Sequence, residues 1–176
     1  MPLTGDSTIL VPVDVSTPDP PDSGILEHLR SVDVVVLGYY LVPKQTAPAH
    51  LKKDHEAEAA ARLEEIVALV DATDHEVEGT LVFTKDKQDS IDRVADQHDC
   101  DAVLVPGKTR PIERILVPLR GDVNLDRIVS LVADLERASD ASITLFHSVT
   151  GDTDPSQGEF ILRGAVERLA DEGISR

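Results

Sequence analysis

The chain contains one cysteine, one methionine and no tryptophan, and aromatic residues make up 3% of its 176 positions. A single thiol, Cys100, excludes an internal disulfide and any thiolate-only metal site. Scarce aromatics remove the stacking platforms on which single-stranded nucleic acid is bound. The apolar runs are short, broken by Pro, Asp or Gly, and the N-terminus has neither the basic region nor the apolar stretch of a signal peptide. A cytoplasmic protein without direct membrane insertion is therefore expected. Positive charge is also short: 33 acidic residues against 17 basic ones leave a formal net charge of −16, which repels nucleic acid and anionic membranes. No nucleic-acid partner is expected. Lysine occurs only at positions 44, 52, 53, 85, 87 and 108, and the acids are scattered rather than gathered in a tail. This surface resembles that of a protein from a salt-in halophile, where concentrated cations screen acidic repulsion, and it also suits an ordinary acidic cytosolic protein.

What is present is a regular alternation. Short β-branched runs alternate with stretches of helical period, the pattern of β-α units around a mostly parallel sheet. The candidate strands are Thr8 to Val13, Val32 to Leu41, Glu76 to Thr84, Ala102 to Val105, Arg114 to Leu119 and Ser142 to Ser148. Each is nearly continuously apolar, as strands covered on both faces must be. Several share one ending: Leu10-Val11-Pro12, Leu41-Val42-Pro43, Leu104-Val105-Pro106 and Leu116-Val117-Pro118. Proline lacks the N–H that a central ladder uses, so these residues are expected where strands end at the sheet rim. In parallel sheets the carboxyl-end rim is where ligands bind.

The periodicity predicts helices over Asp54 to Ala72, Asp89 to His98, Asn124 to Ala138 and Phe160 to Asp171, the last stopped by Gly173. The first crossover, Ser16 to Ser31, holds three prolines and room for only about two turns of helix. Ile9-Leu10-Val11-Pro12-Val13-Asp14 returns as Ile115-Leu116-Val117-Pro118-Leu119-Arg120 in the same structural context, which suggests an internal repeat. Compositional likeness between buried strands is the other explanation. The repeat divides the chain into a full α/β unit over 1–113 and a partial second unit over 114–176, of the form strand-helix-strand-helix, packed on or extending the first sheet.

These residues resemble the universal stress protein family. The first strand of that family commonly runs through an apolar stretch into Pro, another residue, Asp and then Ser, as does Ile9 through Ser16 here. The passage Val77-Glu78-Gly79 to Asp86, then Ser90 to Ala95, then Asp99-Cys100-Asp101 to Pro106-Gly107 is similar to the family's third strand, short helix and fourth strand. Ala138 to Val149 resembles its passage from first helix to second strand, histidine included. The resemblance implies a doubly wound, Rossmann-like parallel sheet of order 3-2-1-4-5, with Ile115 to Leu119 beside Ala102 to Val105 as the fifth strand. Ser142 to Ser148 then extends the sheet as a sixth strand or pairs across a homodimer. It further implies Asp14 as the adenine-contacting acid, with backbone groups near Pro12, Val13 and Tyr40 forming the rest of the adenine wall. A turn or cap role for the Asp14 carboxylate stays open beside that one.

On the phosphate side the sequence departs from the family. ATP-binding members use a glycine-spaced loop, because backbone amides must approach phosphate unobstructed. Here Gly107-Lys108-Thr109-Arg110-Pro111-Ile112-Glu113 leads straight into the next strand, Arg110 stands at the second glycine position, and Arg120 replaces the acid in the second unit. Lys108 and Arg110 meet a phosphate only by charge. The expectation is a non-catalytic sensing or interaction module in a stress response, with nucleotide binding weakened or lost and no resident cofactor. A stress protein that binds ATP or another adenine nucleotide through Asp14, Lys108 and Arg110, in the loop opened by Gly107, with slow ATP hydrolysis left open, is the first alternative. A soluble regulatory subunit of a membrane transporter is the second, since similar domains are also found fused to transporters. Self-association through the sheet edge or the C-terminal part is the expected partnership.

Other motifs carry less. Gly107-Lys108-Thr109 lacks the upstream glycine of a P-loop, where Ala102 stands. A receiver-type phosphoacceptor is missing after the third strand, and no helix face carries a His pair spaced for metal. Asp122-Val123-Asn124-Leu125-Asp126 starts like a calcium loop but has no glycine at the sixth position, so a helix cap is expected there. Cys100 lies between Asp99 and Asp101, which raises its thiol pKa. No nucleophile has a base assigned to it, and no catalytic residue and no metal site is expected.

Overall fold

The computed structural model describes residues 7–17, 29, 31–70, 76–105, 112–120, 124–139, 141–148 and 155–174. In chain order these form β1 (Thr8–Asp14), β2 (Asp33–Leu41), α1 (Pro48–Val70), β3 (Val77–Thr84), α2 (Lys87–Gln97), β4 (Ala102–Val103), β5 (Arg114–Leu119), α3 (Leu125–Arg137), β6 (Ser142–His147) and α4 (Pro155–Asp171). The fold is α/β, with a mostly parallel sheet of order β3-β2-β1-β4 flanked by helices. Most of the first crossover expected over Ser16 to Ser31 lies outside the described residues.

The two faces of β1 and β2 are sorted by alternation. Ile9, Val11, Val13, Val34 and Val36 face α1 and pack on Ala59, Leu63, Ile66 and Val70. Leu10, Val35 and Leu37 face α2 and pack on Ile91 and Val94. Both faces are thus covered, which is why these strands are apolar at nearly every position. Helix α1 begins at Pro48, several residues ahead of its apolar stripe, because a proline at the first helical position has the backbone angle already set and no N–H to waste. Asp86 caps α2 by accepting from the N–H groups of Gln88 and Asp89. Gly173, at φ +87, closes the last helix with its N–H on the Ala170 carbonyl and the Ile174 N–H on the Leu169 carbonyl. Asn124 does occupy the cap position of α3, yet at φ 59 its side chain makes no capping bond.

Two expectations are corrected. The fifth strand does not join the first sheet: β5 pairs in parallel with β6 in a separate two-stranded sheet. The reason lies in α3, whose Val129, Val132 and Ala133 pack within the second unit while Leu131 and Leu135 pack against the first core. This docking is made at the starts of β1 and β2, where Ser7 Oγ donates to Asp134 at 2.8 Å, Ser31 Oγ donates to the Asp134 carbonyl, and Arg127 pairs with Asp101 at 2.9 Å. The second unit therefore sits at the amino-end of the first sheet rather than at its edge. The second correction concerns proline. Pro12 and Pro118 lie inside β1 and β5, in register with Leu37 and Phe146. Odd-numbered β1 residues turn their backbone groups to β2, as Val15 N–H to the Tyr39 carbonyl shows, so Pro12 presents its missing N–H to the β4 side. No ladder bond with β2 is lost.

Candidate functional site

Pro12 shapes the rim where a ligand would enter. The last β4 contact with β1 is the Leu104 N–H donating to the Leu10 carbonyl at 2.8 Å. The next bond would need an N–H on residue 12, and proline has none. The β1–β4 ladder therefore ends here, between the two strands at which the sheet order β3-β2-β1-β4 reverses direction along the chain. In open parallel sheets such a switch point is where ligands bind.

Asp14 closes β1 at that rim, half-buried, in register with Tyr39. Its carboxylate holds its own turn: Oδ1 accepts the Ser16 N–H at 2.9 Å and the Ser16 hydroxyl at 2.5 Å. The turn is held again from α1, where Arg62 donates to the Val15 carbonyl at 2.8 Å while pairing with Glu58 at 2.6 Å. Val13 is buried in the core on the α1 face, leaving main-chain atoms as its contribution to the rim.

Tyr40 stands apart from the switch point. Its ring stacks between Phe83, 5.0 Å away, and His55, 5.4 Å away, on the α1 face, and its strand position pairs with β3. The β2 residue whose carbonyl turns toward β1 is Tyr39, and that carbonyl already accepts the Val15 N–H at 3.1 Å. Tyr39 and Lys87 were passed over in the sequence. The Lys87 ammonium lies 4.7 Å above the Tyr39 ring, at the first residue of α2. A legible signal existed, since five of the six lysines, at 44, 52, 53, 85 and 87, fall in segments that leave β2 or β3 at their carboxyl ends or open α1. Lys85 reaches across this rim to donate to the Lys44 carbonyl at 3.0 Å. Gly107, Lys108 and Arg110 lie outside the described residues.

Away from the rim, Cys100 has a thiol pKa pushed up to about 11, first by burial and then by the carboxylates of Asp101 and Asp99. The thiolate is the reactive form, so alkylation by iodoacetamide at pH 8 is expected to run roughly a hundredfold slower than for an unperturbed thiol. The rate should climb as pH approaches the raised value; a fast, pH-flat reaction would contradict it. Among the described residues no group of three or more His, Cys, Asp or Glu side chains could hold a metal ion, and no helix is long and apolar enough to cross a membrane.

No family model and no curated protein matches the chain. Among solved structures it is similar to the universal stress protein from Archaeoglobus fulgidus, at 18% identity over 79% of this chain and 92% of that one, with a TM-score of 0.41. A second structure of the Archaeoglobus fulgidus universal stress protein, in complex with dAMP, is 17% identical over 81% of this chain and 98% of that one, with a TM-score of 0.39. Protein Rv1636 from Mycobacterium tuberculosis H37Rv is 15% identical over 59% of this chain and 73% of that one, with a TM-score of 0.33. The architecture shown by the chain itself is a parallel sheet of order β3-β2-β1-β4 between helices.

Proposed function

We propose that the chain is a non-catalytic sensing or interaction module whose hold on adenine nucleotides is weak or lost. The observation that carries this reading is the state of Asp14: one carboxylate oxygen is already occupied by both the amide and the hydroxyl of Ser16. A carboxylate so engaged gains less from an exocyclic amine than a free one, because each new bond competes with one already made. The loop after β4 adds to this, with Arg110 and Pro111 where amide donors for phosphate would be needed.

An adenine-nucleotide binder is the second reading. It is favoured by the end of the β1–β4 ladder at Pro12 and by the cationic Lys87 over Tyr39, the residue in register with Asp14. Isothermal calorimetry with ATP in high salt separates the two. The expected result is no heat of binding for the native chain at millimolar ATP, and none for Asp14→Ala. Binding by the native chain that weakens tenfold or more in Asp14→Ala would overturn the first reading and establish the second.

A further inference from the structure

The small sheet of the second unit has one bare face. Strands in a parallel pair are ordinarily covered on both sides, because helical crossovers lie on each. Here α3 and α4 cover one side, over Ile115, Val117, Leu119, Ile143 and Leu145. The other side carries Arg114, Leu116 and Pro118 on β5 with Ser142, Thr144 and Phe146 on β6, and all six are exposed. Leu116 is 60% exposed and Phe146 43%, and they lie diagonally across the pair in one patch.

The internal repeat shows what such a face holds when it is satisfied. Leu116 pairs with Thr144 and Pro118 with Phe146, as Leu10 pairs with Val35 and Pro12 with Leu37 in the first unit. There the face is covered by α2, which lays Ile91 and Val94 against Leu10, Val35 and Leu37 and leaves Asp89, Asp92 and Asp96 exposed. Nothing equivalent covers Leu116 and Phe146 among the described residues. The ends of β5 add a charge pattern. Arg114 opens the strand and Arg120 follows it, both exposed and neither paired with a described carboxylate, whereas Arg62, Arg127, Arg137 and Arg168 all make ion pairs. Six strand steps set the two arginines about 20 Å apart, and a helix the length of α2 spans about 16 Å.

We propose that this face seats an acidic amphipathic helix of a partner protein. Two aliphatic residues three positions apart lie on Leu116 and Phe146, as Ile91 and Val94 lie on Leu10 and Leu37. Carboxylates toward the two ends of the helix meet Arg114 and Arg120. The arginines thus select an acidic partner on a chain whose net charge of −16 otherwise repels one. Phe146 supplies an aromatic anchor of the kind enriched at protein contacts. One helix on two strands buries on the order of 1,000 Å² in total, the size of a transient interface. The face belongs to the second unit and does not include the Asp14 rim, so it stands whether or not a nucleotide binds there.

The probe is a synthetic copy of residues 86–98, held helical by a lactam joining Gln88→Lys to Asp92 on its outer face. Fluorescence anisotropy with the full chain in about 0.5 M KCl should show saturable binding with a Kd on the order of 100 μM. Leu116→Asp and Phe146→Asp should each weaken binding at least tenfold with an unchanged circular dichroism spectrum. Val166→Asp, at an exposed position of α4, should leave it unaltered. A probe carrying Ile91→Asp should not bind. Arg114→Gln together with Arg120→Gln should weaken binding about threefold in 0.5 M KCl, and less in about 2 M KCl, where the charges are screened. Cover by the chain itself is read from Leu116→Cys, whose thiol should alkylate rapidly at about pH 8 beside the slow Cys100, and about tenfold more slowly with saturating probe. Four results would each overturn the proposal: no binding at millimolar probe, binding indifferent to Leu116→Asp and Phe146→Asp, a Leu116→Cys thiol shielded without probe, or a dimer of the native chain that Leu116→Asp splits.

Discussion

Replacing Asp134 with alanine is expected to destabilise the chain by about 3 kcal/mol, although the residue lies far from the candidate site. Asp134 is buried on α3, with 6% of its surface exposed. Its carboxylate accepts the Ser7 hydroxyl at 2.8 Å and the Ser7 N–H at 3.4 Å on one side and pairs with Arg137 at 2.6 Å on the other. Alanine would leave the buried Ser7 groups without their acceptor, and an orphaned buried donor costs about 1 to 3 kcal/mol. Arg137 is better placed, being half-exposed and also paired with Glu172 at 2.9 Å. Loss of that partner is softened by water, which puts the total at the lower end of the range for breaking a buried pair. Thermal melts in high salt should show the loss, with a fall in Tm of roughly 6 to 12 °C. Arg137→Ala, which removes a solvated partner, should cost under about 1 kcal/mol. A loss below about 1 kcal/mol for Asp134→Ala would mean that the two units are not held by this contact.

Leu10→Ala should cost about 3 kcal/mol, while the same change at the repeat position, Leu116→Ala, should cost under about 1 kcal/mol. Leu10 has no exposed surface, packed under Ile91 and Val94 of α2, whereas Leu116 is 60% exposed. The contrast recurs one strand over, with Leu37 fully buried and its counterpart Phe146 43% exposed. The two leucines occupy the same place in the repeated Ile-Leu-Val-Pro sequence. A helix covers that face in the first unit, and in the second no helix does among the described residues. Large-to-small changes cost transfer energy plus the cavity left behind, and an exposed side chain supplies little of either. Urea unfolding of the two variants side by side decides the matter. Equal losses would show that Leu116 is covered in solution.

Much of the architecture was legible because burial on two faces leaves a strong mark on sequence. Strands β1, β2, β3, β5 and β6 fall within a residue or so of their apolar runs. Helix starts were less legible: the stripe of α1 begins well after Pro48, where the backbone is helical while the side chains are still wet. At the site, Asp14 and Pro12 were found through their resemblance to a family motif. The part of Pro12 in ending the β1–β4 ladder depended on which way its missing N–H points, a property of register. Tyr40 and Tyr39 are adjacent and chemically identical, and strand alternation alone sends one to the α1 core and the other to the α2 face beside Asp14.

By itself the sequence determined the α/β class, the repeated strand, the acidic surface and the carboxylate at the end of β1, because each follows from local periodicity or composition. Only the tertiary structure decided where the second unit sits and which edges stay open. That choice rests on α3, whose apolar residues serve two cores at once and whose Asp134 is satisfied by Ser7, 127 positions earlier in the chain. A carboxylate among apolar helix positions signals a buried partner, but nothing local names it, since such a bond is specified by the packing that brings distant segments together.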